Sequence, residues 1–477
     1  MATTSRHSVS RMALKAMGLF GGVQVVGVLC SIVRTKLVAL WIGPVGVGLF
    51  AIFNNALEML NTATNLGIRS SSVRDIAQAR ERGEQSHVAR VIAVVRRWSL
   101  WLALGGALLT LLLAPVLSRI TFGDESHLWG FVALSVAVLL MAITNGEAAV
   151  LQGTARLRRL AAATMWGTIG GLVVSIPLFY SLRERSVVPS IVAYAAAVAL
   201  AAIILRSREY PAVKVDARTT ARMGTNFVKL GIAMTIGSFV TILATYIFNA
   251  WLQHQGGTQQ VGFYQAGFTL VNKYTGLILA ALGMEYYPRL SAVASSKMRL
   301  RVYVSQEINV AMAVMAPVVA AFVLLREPIV WLLYSSEFNV IFSLISWGMV
   351  GTVFRSLSWS IAFVILARGD GRTYVVTESL SAATGLALNI VGYHYWGLTG
   401  LGISYALWYI LYTLIVGVVY YHRYHLSLSR PCLAAVAWTT LVALVAVLAM
   451  EHSHPIVAAI TLVIALAVTL WQLRRLW

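Results

Sequence analysis

Charge is what this sequence has least of. Only 11% of its 477 residues are Asp, Glu, Lys or Arg, against about 25% in soluble proteins. No long hydrophilic stretch separates the apolar segments, which excludes a soluble domain hidden between them. Cysteine is nearly absent. Cys30 and Cys432 lie far apart in apolar surroundings, which excludes a disulfide framework or a cysteine metal site and leaves two small buried side chains. Enzyme motifs are missing too: no G-x-x-x-x-G-K-[ST] loop, no H-E-x-x-H pair and no D-x-D pair in an outer loop. Glu451, His452 and His454 read as a plain polar turn. The outer loops are too short for a membrane polymerase or ligase. The expectation is a chain that is not an enzyme, with no catalytic residues, no metal and no cofactor.

What is abundant is apolar, at 59% of residues. A spanning helix needs about 20 mostly apolar residues. On that rule 14 transmembrane helices are predicted, near 14–41, 46–68, 91–117, 128–151, 159–181, 187–206, 226–252, 260–287, 304–333, 340–366, 373–396, 398–421, 432–450 and 455–472. The first run is too long for a signal peptide and is read as a retained helix.

The net charge of +20 would suggest nucleic acid in a soluble protein. Its distribution says otherwise. With the N-terminus inside, 29 of the 37 Lys and Arg fall on the cytoplasmic side, Arg6, Arg11 and Lys15 first among them. Only Arg119, Arg183 and Arg185 fall on the other side. The positive-inside rule accounts for this asymmetry. It predicts an inner-membrane protein with both termini cytoplasmic and no nucleic-acid partner. The arginine-rich segment Ser70 to Arg97 is expected to lie as an amphipathic helix on the anionic leaflet.

Three motif pairs suggest a duplication. Val47-Gly48-Leu49-Phe50 pairs with Val261-Gly262-Phe263-Tyr264 at a separation of 214. Pro115-Val116-Leu117 pairs with Pro328-Ile329-Val330 at 213. Gly153-Thr154-Ala155-Arg156 pairs with Gly369-Asp370-Gly371-Arg372 at 216. A six-helix repeat is even, so both copies enter the membrane in the same direction. The expected fold is all-α: two six-helix lobes, 1–212 and 213–428, related by a pseudo-two-fold axis along the membrane normal, plus two extra helices in 429–477.

Polar groups inside the spans are costly and mark function. Asn54, Glu58, Asn61 and Asn65 share one helical face, and Gln265, Thr269 and Asn272 share another. They are expected to line a hydrated cleft. Five basic residues remain within the spans. Arg34, Lys273 and Arg355 come from three helices and suit an anionic group such as a phosphate or diphosphate. Each could instead be neutralised by Glu58, Glu147 or Glu378. Lys36 is expected to snorkel outward, and Arg326 to pair with Glu327. Glu58 and Glu378 are candidate carriers of a coupling proton.

Ile42-Gly43-Pro44-Val45-Gly46-Val47-Gly48-Leu49-Phe50, with Leu66-Gly67-Ile68 and Val73-Arg74-Asp75-Ile76-Ala77, resembles the first hairpin of Wzx-type polysaccharide flippases. Val261-Gly262-Phe263-Tyr264-Gln265-Ala266-Gly267, with Tyr286-Tyr287-Pro288-Arg289-Leu290, is similar to the seventh and eighth helices of the same family. These flippases belong to the multidrug/oligosaccharidyl-lipid/polysaccharide (MOP) exporter superfamily, and the resemblance covers about residues 10–425. It implies a MOP/MATE-like fold and translocation of an undecaprenyl-diphosphate-linked oligosaccharide to the periplasmic leaflet by alternating access. It further implies H+ or Na+ coupling, membrane lipids as partners, and a polysaccharide polymerase and chain-length proteins in O-antigen, lipopolysaccharide or related pathways. A multidrug/cation antiporter of the same superfamily is the alternative.

Overall fold

Within lipid a backbone must satisfy its own hydrogen bonds, so apolar runs of spanning length fold as helices. A computed structural model describes residues 2–211 and 213–476 of the protein. Side chains at 2–20, 226–230, 233–234, 473 and 475–476 lie outside the described set, and with them those of Arg6, Arg11 and Lys15. Residue 212, where the first lobe is expected to end, lies outside it as well.

Among the described residues, eleven continuous helical stretches are long and apolar enough to cross a membrane. Three of them, of 48, 58 and 53 residues, are long enough to cross twice, which yields the fourteen expected spans. The helices are α1 (Ala2–Trp41), α2 (Gly43–Asn65), α3 (Ile68–Glu81), α4 (Gln85–Phe122), α5 (Leu128–Gly153), α6 (Leu157–Leu182) and α7 (Val187–Ile204), followed by α8 (Ala217–Phe268) and α9 (Thr275–Ala292). Then come α10 (Lys297–Leu324), α11 (Arg326–Leu333), α12 (Phe342–Ala367), α13 (Gly371–Val418), α14 (Arg430–Glu451) and α15 (Pro455–Leu476). No strand occurs among the described residues. The chain forms two compact units, Met1–Thr258 and Gln259–Trp477.

The long stretches break where the backbone turns left-handed. α8 breaks at Gly257 (φ 76°) and α13 at Gly397 (φ 58°, ψ −138°). Glycine tolerates such angles because it has no Cβ. Arg183 makes the same kind of turn after α6, at φ 51° and ψ −127°. These positions reveal the duplication better than the residues do. Positive φ recurs at Gly43 and Gly257, at Ala155 and Gly369, and at Arg183 and Gly397. Every pair is 214 positions apart. The third motif pair, read from sequence at 216, is therefore corrected: Ala155 corresponds to Gly369, and Arg156 to Asp370. The backbone hydrogen bonds agree, with Arg156 N donating to Leu151 O (2.8 Å) and Asp370 N to Ile365 O (3.1 Å).

Each of these turns is tied to the segment after the sixth spanning helix of its repeat. Arg156 Nε donates to Glu209 Oε2 (2.8 Å). In the second unit the charges are exchanged, and Arg423 Nε donates to Asp370 Oδ2 (2.6 Å). Tyr424 Oη (3.0 Å) and Thr373 Oγ1 (2.8 Å) also donate to Asp370. Partial burial pushes this carboxyl up, but the donors outweigh it and hold Asp370 at about 2. A depressed carboxyl stabilises the fold above its unfolded value and loses that contribution as pH falls through its folded value. Thermal unfolding in detergent should therefore show a wild-type Tm falling between about pH 4 and pH 2. Asp370→Asn should remove this part of the decline.

Two expectations are corrected here. α3 does not spend its apolar side on lipid. Ile68, Ile76 and Ala79 are buried, and Ile76 and Ala79 join a core with Val88, Val91, Val95 and Val150 from α4 and α5. The helix expected over 304–333 is two helices. Pro328 has no N–H for the carbonyl of Leu324, so α10 ends there and α11 restarts at Arg326.

The two extra helices, α14 and α15, pack on α10 within the second unit. Pro317 inside α10 cannot donate to the carbonyl of Ala313. Thr469 Oγ1 of α15 donates to that oxygen instead (2.7 Å). Thr469→Val leaves the buried carbonyl unpaired and should cost about 1 kcal/mol, read as a lowered Tm in detergent.

Candidate functional site

Arg34 sits on α1, half-buried in an apolar stretch. A buried arginine usually finds a carboxylate. This one forms no ion pair among the described residues. Its guanidinium carbon lies instead over two aromatic rings, 4.8 Å from the centroid of Phe50 on α2 and 4.9 Å from that of Tyr194 on α7. Such faces attract a cation without cancelling its charge.

Arg34 lines a cavity of about 220 Å³ in the first unit, together with Asn54, Thr144, Asn145, Tyr194 and apolar neighbours. Asn54 Nδ2 donates to Phe50 O (2.7 Å). Asn145 Nδ2 and Asn65 Nδ2 both reach Asn61 Oδ1 at 3.5 Å, so Asn61 joins α2 to α5. Glu58, on the same helix, is exposed and is not among the cavity's walls. The cavity therefore presents one uncompensated cation and several amide and hydroxyl groups. That chemistry can receive an anion.

Lys273 and Arg355 belong to the second unit. Lys273 is exposed within a π-helical turn, Thr269–Tyr274, between α8 and α9. Arg355 on α12 donates from Nη1 to Asn272 O (2.7 Å) and Thr275 Oγ1 (3.2 Å). Its guanidinium lies 6.0 Å from the Tyr409 centroid. A Cβ on Gly276 would come within 3.2 Å of Nη2, so the missing side chain admits the guanidinium. Gln265 Nε2 donates to Thr269 Oγ1 (3.3 Å), and Tyr405 Oη to Asn272 Oδ1 (3.4 Å). Arg355 is thus already engaged by helix backbone, whereas Arg34 is not. A second cavity, beside Tyr264, Phe268 and Tyr405, holds only about 10 Å³, too little for more than water.

The acidic candidates have other employment. Glu147 accepts both Arg96 Nε (2.8 Å) and Nη2 (2.9 Å). Glu378 accepts Tyr412 Oη at 2.5 Å. Neither Arg34 nor Arg355 is paired with a carboxylate among the described residues. Arg326 pairs with Glu451 (2.9 Å), not with Glu327 as expected. No group of three His, Cys, Asp or Glu able to hold a metal occurs among the described residues.

Thr144, Asn145 and Tyr194 escaped the sequence reading, and Phe50 entered it only as part of a motif. The Thr144-Asn145 pair inside an apolar helix was a usable signal. The aromatic partners carried none, because Phe and Tyr are ordinary residues in such helices.

Residues 25–343 match the model of a family described as polysaccharide biosynthesis protein. The chain belongs to the polysaccharide biosynthesis protein family. A lipid III flippase of Escherichia coli (strain K12) is 24% identical over 357 residues, covering 72% of this chain and 82% of that protein. The lipid III flippase of Shigella flexneri matches equally. Among solved structures, the lipid II flippase MurJ in an inward closed conformation superposes with a TM-score of 0.72 at 10% identity, over 97% of this chain and 99% of that one. An inward-facing multidrug resistance MATE family transporter of the MOP superfamily gives 0.69 at 15% identity, over 81% and 92%. This member of the family therefore has the MOP fold and is a multi-pass membrane protein. Its relatives are flippases and transporters, not enzymes.

Proposed function

We propose that this protein is a flippase for a lipid-linked oligosaccharide. It moves an undecaprenyl-diphosphate-linked glycan from the cytoplasmic to the periplasmic leaflet of the bacterial inner membrane by alternating access, in O-antigen or related surface polysaccharide synthesis. Both termini are cytoplasmic, as the distribution of Lys and Arg supports. One observation carries the reading: Arg34 lines a cavity of the first unit with no carboxylate to neutralise it. A guanidinium meets phosphate oxygens with paired N–H donors, while Asn54, Thr144 and Asn145 suit sugar hydroxyls. Within the second unit, Lys273 is a candidate cation for the same class of anion. Arg355 can join it when its bond to Asn272 O is exchanged for one to phosphate. Glu378, hydrogen-bonded by Tyr412, is the better placed carrier of a coupling proton, with Glu58 as the exposed second. A polymerase and chain-length proteins would receive the translocated glycan.

A multidrug/cation antiporter would need an anionic cavity for cationic drugs, and an arginine in that position opposes it. The test is reconstitution in proteoliposomes with a fluorescent lipid-linked oligosaccharide. Wild-type protein should expose the label to an outside quencher. Transport of cationic dyes without exposure of the glycan would overturn the reading.

A further inference from the structure

We infer that Tyr194 and Phe50 are positioning residues for Arg34, and that Gly171 sets the position of Tyr194. The inference rests on the reading of Arg34 as an anion ligand and adds what keeps that ligand charged and aimed. An arginine at this depth has three ways to persist: pair with a carboxylate, bind backbone carbonyls, or lie against aromatic faces. The first cancels its charge and the second occupies its donors, as at Arg355. Only the third leaves both charge and N–H groups available. Arg34 uses the third, with both ring centroids within 5 Å of its guanidinium carbon.

The position of Tyr194 depends on its ring rather than its hydroxyl. Tyr194 Oη reaches Thr168 Oγ1 only at 3.5 Å, a marginal hydrogen bond. Its ring, by contrast, lies flush against Gly171 of α6. A Cβ at Gly171 would meet Cε2 at 2.9 Å and Cγ at 3.0 Å. The first, together with a still closer approach to Cδ2, lies below the separation that real Cβ atoms show, and the second is at its edge. α6 also packs on α1 and α7. Gly171 thus seats the ring, the ring seats the guanidinium, and three helices set the position of one cation.

The test uses the full-length protein in detergent, with Arg34 modification by phenylglyoxal followed by mass spectrometry and inorganic diphosphate as protecting probe. Tyr194→Phe keeps the face and should restore the Arg34 modification rate and diphosphate protection that Tyr194→Leu loses. Tyr194→Leu and Phe50→Leu should change the Arg34 modification rate and raise the half-protecting diphosphate concentration, each by about tenfold. In proteoliposomes they should raise KM by a similar factor while kcat changes little. Gly171→Ala, which touches neither Arg34 nor the cavity, should reproduce the Tyr194→Leu phenotype. Diphosphate protection that is equal in wild type and Tyr194→Leu overturns the positioning role and leaves the anion site standing. Absence of protection in wild type removes the diphosphate reading. The seat is then judged on modification rate alone, and an unchanged rate in Tyr194→Leu overturns it.

Discussion

Arg34→Glu is expected to reduce translocation of lipid-linked oligosaccharide by more than about 100-fold while the protein still folds. A hydrogen bond to a charged partner contributes about 1.5–3 kcal/mol, and a phosphate engages a guanidinium through two. The substitution removes both and adds a like charge facing the diphosphate, which costs more in a cavity of low dielectric than in water. Folding should survive because Arg34 makes no ion pair that the rest of the structure needs; its partners are the faces of Phe50 and Tyr194. The measurement is the proteoliposome quenching assay, with size-exclusion elution and Tm as controls. Near-normal export of surface glycan in cells carrying only the variant would reject Arg34 as a ligand. Arg355 should behave differently. Its Nη1 holds Asn272 O within the π-helical turn, so Arg355→Met should lower Tm as well as transport.

Glu451→Ala should destabilise the second unit by about 3 kcal/mol. Arg326 is 9% exposed, and its Nη1 donates to Glu451 Oε1 at 2.9 Å and to Ser346 Oγ at 2.7 Å. Nη2 donates to Met450 O at 3.2 Å. Without Glu451 the guanidinium stays buried with only neutral acceptors, and an uncompensated buried charge is far more costly than a missing pair. Because Glu451 ends α14, the loss should also loosen the extra helices. Limited proteolysis at the turn after α14 should speed up alongside a lowered Tm. Replacing both partners with apolar residues, Arg326→Met with Glu451→Leu, should recover most of the stability. A double variant as unstable as the single one would show that the pair itself, and not the orphaned charge, carries the energy.

The pair also shows where sequence reading runs out. Arg326 and Glu327 are adjacent, and adjacency made Glu327 the obvious partner. Neighbouring residues on a helix point about 100° apart, so they rarely meet. The true partner lies 125 positions away. The same limit hid Tyr194, which is remote from Arg34 in the chain and unremarkable in composition. α3 misled for a related reason. Its mix of arginine and apolar residues is what a membrane-surface helix shows, and also what a helix shows when one face packs on α4 and α5. Only the identity of the neighbour separates the two.

The duplication was legible but blurred. Residue motifs placed it at separations from 213 to 216, while the left-handed turns at Gly43 and Gly257, Ala155 and Gly369, and Arg183 and Gly397 share a single separation. Turn geometry persists through residue exchange, since Arg183 and Gly397 adopt nearly the same dihedral angles with different side chains.

By itself the sequence determined the all-α class, fourteen spans, a six-helix repeat and the presence of Arg34 within a span. These follow from hydropathy and residue type along the chain, and each span must satisfy its own backbone wherever its neighbours lie. The tertiary structure alone decided the partners: aromatic faces for Arg34, Asn272 O for Arg355, Arg96 for Glu147, and Thr469 for the carbonyl that Pro317 leaves open. In lipid, helices are chosen as neighbours by close packing and by single polar contacts. Those contacts can join residues more than a hundred positions apart, as Thr469 and Ala313 show, and no local pattern encodes them.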